Sequence, residues 1–160
     1  MKTKLLVILF ALTLLLTLVS CTAEEPKAPT ATQTVEETAT KANDGIPADG
    51  LWKEATYREN KTFGEGAKTV KVTVKAGDHS VVFTVKTDKD NLGDALLEHK
   101  LVEGEDGAYG LYIKKVNGIL ADYDVDQTYW SFQIDGVAQM NGVSDAKIQG
   151  GESFELVRTK

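Results

Sequence analysis

Thr69-Val70-Lys71-Val72-Thr73-Val74-Lys75 alternates polar and apolar residues without a break. In an extended chain, successive side chains point to opposite sides. This pattern therefore puts three valines on one face and predicts a half-buried strand. Ala76-Gly77-Asp78-His79 follows and reads as a four-residue hairpin loop. The return segment places Val81, Phe83 and Val85 on one face, so a second strand is expected with its apolar side matching the first.

Downstream, Thr87-Asp88-Lys89-Asp90-Asn91 leads into a segment running from Leu92 to Leu101. Asp90 or Asn91 is placed to cap a helix, Asp94 adds negative charge to its first turn, and Lys100 sits near its end. Leu92, Ala95, Leu96 and Leu101 form an apolar stripe for packing on a sheet, and Gly104 is expected to end the helix. Three more strands are predicted at about 109–116, 128–134 and 152–158, punctuated by Asn117-Gly118, Asp135-Gly136 and Gly150-Gly151. The order strand, strand, helix, strands implies an α+β domain over 51–160. Its expected form is a small β-grasp-like mixed sheet with one helix packed on one face.

Upstream the composition changes. Residues 21–50 hold all three prolines (Pro26, Pro29 and Pro47), many Thr, Ala and Glu, and no aromatic residue. Val35 and Ile46 are the only large aliphatics there. Such a segment buries too little apolar surface to offset its chain entropy, so a disordered acidic linker is expected. Residues 1–20 read as an export signal: Lys2 and Lys4 precede an apolar run of fifteen residues, Leu5 to Val19, broken only by Thr13 and Thr17. A membrane-spanning helix needs roughly 20 residues, which favours a cleaved signal over an anchor. Leu18-Val19-Ser20-Cys21 resembles the bacterial lipobox. That resemblance implies lipidation of Cys21 as the first mature residue, and a chain tethered to the cell membrane on its extracytoplasmic side. Acyl chains contribute about 0.8 kcal/mol per buried methylene, enough for two or three to hold a domain durably.

The formal charge is −6, which removes the basic footprint that nucleic acid requires. Loss of Lys2 and Lys4 makes the mature chain more acidic still, so anionic lipid head groups repel it. One cysteine permits neither an intrachain disulfide nor a four-cysteine zinc site. His79 and His99 fall in the hairpin loop and on the helix. Neither has a second histidine or a cysteine near it in sequence, and both read as packing or surface residues. Asp122-Tyr123-Asp124-Val125-Asp126 opens like a calcium loop. Its sixth and twelfth positions are Gln127 and Gln133 where glycine and glutamate are needed, so a solvated acidic loop is expected. Gly64-Glu65-Gly66 lacks the third glycine and the preceding strand of a dinucleotide loop and reads as a turn. With no nucleophile elbow or other catalytic constellation, the expectation is a protein that is not an enzyme and requires no cofactor or metal.

The aromatic residues are the remaining lead. Tyr109, Gly110, Leu111 and Tyr112 follow the turn Glu105-Asp106-Gly107, and Tyr129 and Trp130 follow the acidic loop. If Trp130 and Phe132 share the buried face of a strand, Tyr129 and Ser131 are exposed. Exposed tyrosines near loop ends suit a flat, partly apolar ligand or a protein partner.

An ordered set of motifs then carries a family resemblance. Tyr112-Ile113-x-x-Val116-Asn117-Gly118-Ile119, Tyr129-Trp130-x-Phe132, Gly142-Val143-x-Asp145 and Gly151-Glu152-x-Phe154-Glu155-Leu156-Val157 occur in sequence. They resemble the C-terminal domain of transcobalamin and intrinsic factor, and more closely its bacterial relatives, lipoproteins carrying that domain alone behind an acidic linker. The resemblance covers about 51–160. It implies a β-rich domain of the kind that covers one face of a corrinoid ring in the animal carriers. The large helical domain supplying the other half of the carriers' site is missing here. Ligand-facing positions on this resemblance are Gly107, Tyr109, Gly110, Leu111, Tyr112, Tyr129 and Trp130, with a corrinoid such as cobalamin as ligand. Two functions stay open: a lipid-anchored binding protein presenting a corrinoid or other small ligand to an uptake system, and a cell-surface interaction or scaffold module with no such ligand.

Overall fold

The computed structural model describes residues 45–160. The expected signal peptide, Cys21 and linker residues 21–44 lie outside the described residues. Residues 45–50, expected within the linker, pack on the domain: Ile46 is buried and its N–H donates to the Arg58 carbonyl at 3.0 Å. A short 3-10 turn, Gly50–Glu54, then seats Trp52 in the core, where its indole N–H donates to the Ala76 carbonyl at 2.8 Å.

Strand β1 (Lys61–Phe63) precedes the two long alternating strands, β2 (Lys68–Ala76) and β3 (His79–Thr87). Val70, Val72 and Val74 are buried, as are Val81, Phe83 and Val85, which places the apolar faces as the alternation predicts. The loop between them differs from expectation. Pairing continues to Ala76 and His79, leaving a two-residue turn at Gly77 and Asp78. Gly77 adopts φ 60, a left-handed conformation that lets the strands close tightly. His79 therefore opens a strand and meets the Trp52 ring edge-on at 6.5 Å.

Helix α1 (Leu92–Glu98) starts at Asn91, whose side-chain oxygen accepts from the Asp94 N–H at 2.8 Å. Leu92, Ala95 and Leu96 are buried, as is Leu101 just beyond the helix. The helix stops at His99, ahead of the expected Gly104. Lys100 takes φ 54, its N–H donates to Leu97, and the Leu101 N–H donates to Leu96. These two bonds are those of a left-handed C-cap, filled here by lysine in place of glycine. Gly104 lies instead in β4 (Val102–Gly107), at a register shift beside Glu103. A side chain there would come 2.1 Å from the Tyr112 carbonyl, so glycine permits the close pairing.

The next strands are β5 (Gly110–Val116) and β6 (Ile119–Leu120). Glu105-Asp106-Gly107, read above as a turn, is strand; the turn is Ala108-Tyr109, closed by the Gly107↔Gly110 pair. The expected acidic loop forms a single helical turn, α2 (Tyr123–Asp126), because the Asp122 carboxylate caps it by accepting from the Asp124 N–H at 3.0 Å. Strands β7 (Tyr129–Ile134), β8 (Val137–Ala138) and β9 (Ser153–Thr159) complete the chain.

The strands form two sheets where one was expected. The larger has the order β1-β3-β2-β9-β7-β8, and the smaller β4-β5-β6. β1 runs parallel to β3 and β9 parallel to β2; the other pairs are antiparallel. The fold is thus mixed α and β, strand-dominated, with few helices. A single β-grasp-like sheet does not form, because the β4–β5 hairpin bonds within its own sheet and β6, not β7, takes the free edge of β5.

Candidate functional site

Two strands outrun their short partners. β6 pairs with β5 only at Lys115 and Val116, and β8 pairs with β7 only at Gln133 and Ile134. The upstream segments, 110–113 and 129–132, line a cleft of about 490 Å³, with residues 138–143 as a third wall. That volume is in the range of small-molecule sites.

The third wall is held by α1. The Leu92 N–H donates to the Ala146 carbonyl at 2.8 Å and the Gly93 N–H to the Val143 carbonyl at 3.0 Å, so unpaired donors of the first helical turn fix the loop. The β5 wall is tied to the same loop, because the Leu111 N–H donates to the Ser144 hydroxyl at 3.1 Å. Gly110 takes φ 89, and a side chain on it would press on Ser144 at 3.0 Å. The approach of β5 to the loop therefore depends on glycine.

All seven sequence-selected residues border this one cleft: Gly107, Tyr109, Gly110, Leu111, Tyr112, Tyr129 and Trp130. Tyr109 is 91% exposed at the turn; Tyr112 and Tyr129 are half-exposed on the rim. Trp130 is buried at 7% exposure, and Phe132, on the same strand face, meets Phe154 at 5.8 Å between rings. Ser131 departs from expectation. It is buried because Gln133, two residues along the same face, folds over it and donates to its hydroxyl at 3.3 Å. The residues missed by sequence are those of the third wall, Met140 and Gly142 among them. Gly142-Val143-x-Asp145 entered the sequence analysis only as a resemblance motif, which says nothing of where the loop lands.

No Asp, Glu, Lys, Arg or His lines the cleft. The carboxyls held below their ordinary range lie elsewhere and serve structure. The Lys68 ammonium, hydrogen-bonded to Asp90, lowers that carboxyl. Thr128 donates to Asp126, with Arg158 adding to the effect. Burial works against ionisation of Glu152, but N–H donors from Gln149 and Gly150 outweigh it. Among the described residues no group of three or more His, Cys, Asp and Glu side chains is placed to hold a metal ion. His99, expected on the helix, caps its end beside a second, polar cleft that also contains Lys86, Lys89 and Glu98.

Residues 89–156 match a family described as a domain of unknown function, DUF4430, and this segment contains all three walls of the cleft. No curated protein matches the chain. Among solved structures, a protein from Ruminococcus gnavus described as a candidate metal binding protein is 35% identical, with a TM-score of 0.55. The alignment covers 58% of this chain and 97% of that one. Haptocorrin in complex with Cbi is 21% identical with a TM-score of 0.45, over 61% of this chain and 26% of that one. By its identity over nearly the whole length of the Ruminococcus gnavus protein, the chain belongs to one family with it, and within that family it carries a DUF4430 domain.

Proposed function

We propose that the chain is a membrane-anchored, extracytoplasmic binding lipoprotein that holds a small, flat ligand in the cleft between β5 and β7 for delivery to an uptake system. The observation carrying this reading is an uncharged cleft of about 490 Å³ rimmed by Tyr109, Tyr112 and Tyr129. Stacking a planar molecule on these rings buries apolar area at about 25 cal/mol per Å², and the hydroxyls stay free for polar edges. The motif resemblance over 51–160 makes a corrinoid the first ligand class to test. The description of the Ruminococcus gnavus relative names a metal; the uncharged lining of this cleft supports a neutral small molecule in preference to a bare cation.

The test is a titration of the purified protein with cobalamin and cobinamide, followed by tryptophan fluorescence. A site open on one side should give micromolar or weaker affinity, of order −8 kcal/mol. Tyr109→Ala and Tyr129→Ala should weaken binding, and Cys21→Ala should release the protein from the membrane fraction. Leu120, Tyr123 and Val125, exposed beyond the rim, favour the second reading, a protein-interaction surface. Absence of binding at millimolar corrinoid, with loss of a protein partner in the tyrosine variants, would establish that second reading.

A further inference from the structure

The two tryptophans are buried alike but satisfied differently. The Trp52 indole N–H donates to a backbone carbonyl, whereas the Trp130 indole nitrogen is buried and has no hydrogen-bond partner among the described residues. Buried donors in folded proteins are almost always paired, and one without a protein partner calls for a water, an ion or a ligand; of the two such atoms among the described residues, Trp130 Nε1 and His99 Nε2, only Trp130 belongs to the uncharged cleft. Trp130 is 7% exposed and borders the cleft proposed above. Away from the tyrosine rim, the Ser131 hydroxyl accepts from Gln133 and the Gln139 amide donates to the Val137 carbonyl.

We infer that the ligand of this cleft carries a neutral carbonyl oxygen that accepts a hydrogen bond from the Trp130 indole N–H. This rests on the cleft being a small-molecule site. A carbonyl suits better than a carboxylate because no cationic side chain lines the cleft to offset a buried negative charge. The nitrogen is covered in this structure, so the contact requires the indole to turn toward the cleft that Trp130 borders. Side-chain changes of that kind are common on binding. Trp130 is thus a specificity-determining residue: its ring supplies the apolar floor and its N–H selects for the acceptor.

The test compares 9-fluorenone with fluorene, planar tricycles that differ by one ring carbonyl, titrated into the full chain and followed by NMR. Fluorenone should bind tighter by up to about tenfold, the effect of one neutral hydrogen bond. The Trp130 indole proton should move downfield with fluorenone and not with fluorene, while the Trp52 indole proton stays in place. Trp130→Phe keeps a smaller ring and removes the donor; whatever it does to affinity overall, it should abolish the preference, so that fluorenone and fluorene bind alike. Equal binding of both probes, or a preference that survives Trp130→Phe, overturns this inference and leaves the cleft standing. Failure of both probes to bind removes the flat-ligand cleft and this inference with it. Should Trp130→Phe misfold, the indole shift in the unaltered protein decides alone.

Discussion

Asn117 shows how much one side chain holds. It is buried at the turn between β5 and β6, with φ 52. Its amide oxygen accepts from the Tyr57 N–H at 2.9 Å, and its amide nitrogen donates to the Tyr57 carbonyl at 2.7 Å. A strand turn is thereby tied to a segment sixty residues earlier. Asn117→Ala should cost about 2–4 kcal/mol in urea unfolding, because it strands two part-buried backbone groups of Tyr57 and strains a left-handed residue. Asn117→Gly loses the same bonds without the strain and should cost less; equal losses would show that the left-handed strain decides nothing and that the bonds account for the whole cost. The cleft aromatics divide in the same manner. Trp130→Ala should lose roughly 3–5 kcal/mol of stability. Tyr109→Ala should stay within about 0.5 kcal/mol of the parent, as exposed sites do, while still weakening ligand binding.

At the scale of elements, the β4–β5 hairpin and the start of α1 place two walls of the cleft. The hairpin depends on Gly104, whose neighbour across the pair is the Tyr112 carbonyl. Gly104→Ala forces backbone apart in a position with no flexible side chain to yield. We expect a loss of about 1–3 kcal/mol and a displaced Tyr112, read as weaker binding and shifted amide resonances confined to β4 and β5. Unchanged resonances in β5 would show that the hairpin does not set the tyrosine. β4 also explains its own silence in the sequence. Glu103-Gly104-Glu105-Asp106-Gly107 has no apolar alternation because these residues are exposed, and charges on an edge strand discourage pairing with other chains.

At the scale of the whole molecule, three carboxylates hold distant segments together. Asp90 meets Lys68, Asp126 joins Arg158 to α2, and Glu152 closes the loop before β9. Each is held below its ordinary pKa in the folded state. A depressed carboxyl stabilises the fold above its unfolded value, near 4, and that contribution is lost as pH falls through the folded value. Thermal stability should therefore be level from neutral pH to about pH 5 and decline below about pH 4. Asp126→Asn should make that decline shallower; an unaltered acid profile in this variant would remove Asp126 from the account.

β2, β3, β5, β7 and β9, the start of α1 and the seven residues that border the cleft are all legible in the order of residues. In each case the information is local: period-two alternation names the buried face, Asn91 with Asp94 names the cap, and tyrosines beside turns name the rim. Tertiary structure alone decided that the strands divide into two sheets and that β9 joins β2 in parallel, with Val74 opposite Leu156. It alone brought residues 138–143 against β5 and β7 to form the third wall. Alternation reports which side of a strand faces the core. It carries no record of which edge meets which, because edge pairing is fixed by backbone hydrogen bonds between groups common to every residue. The cleft exists where two such edges are left unpaired by β6 and β8, and that follows from the length of their neighbours and not from any side chain within it.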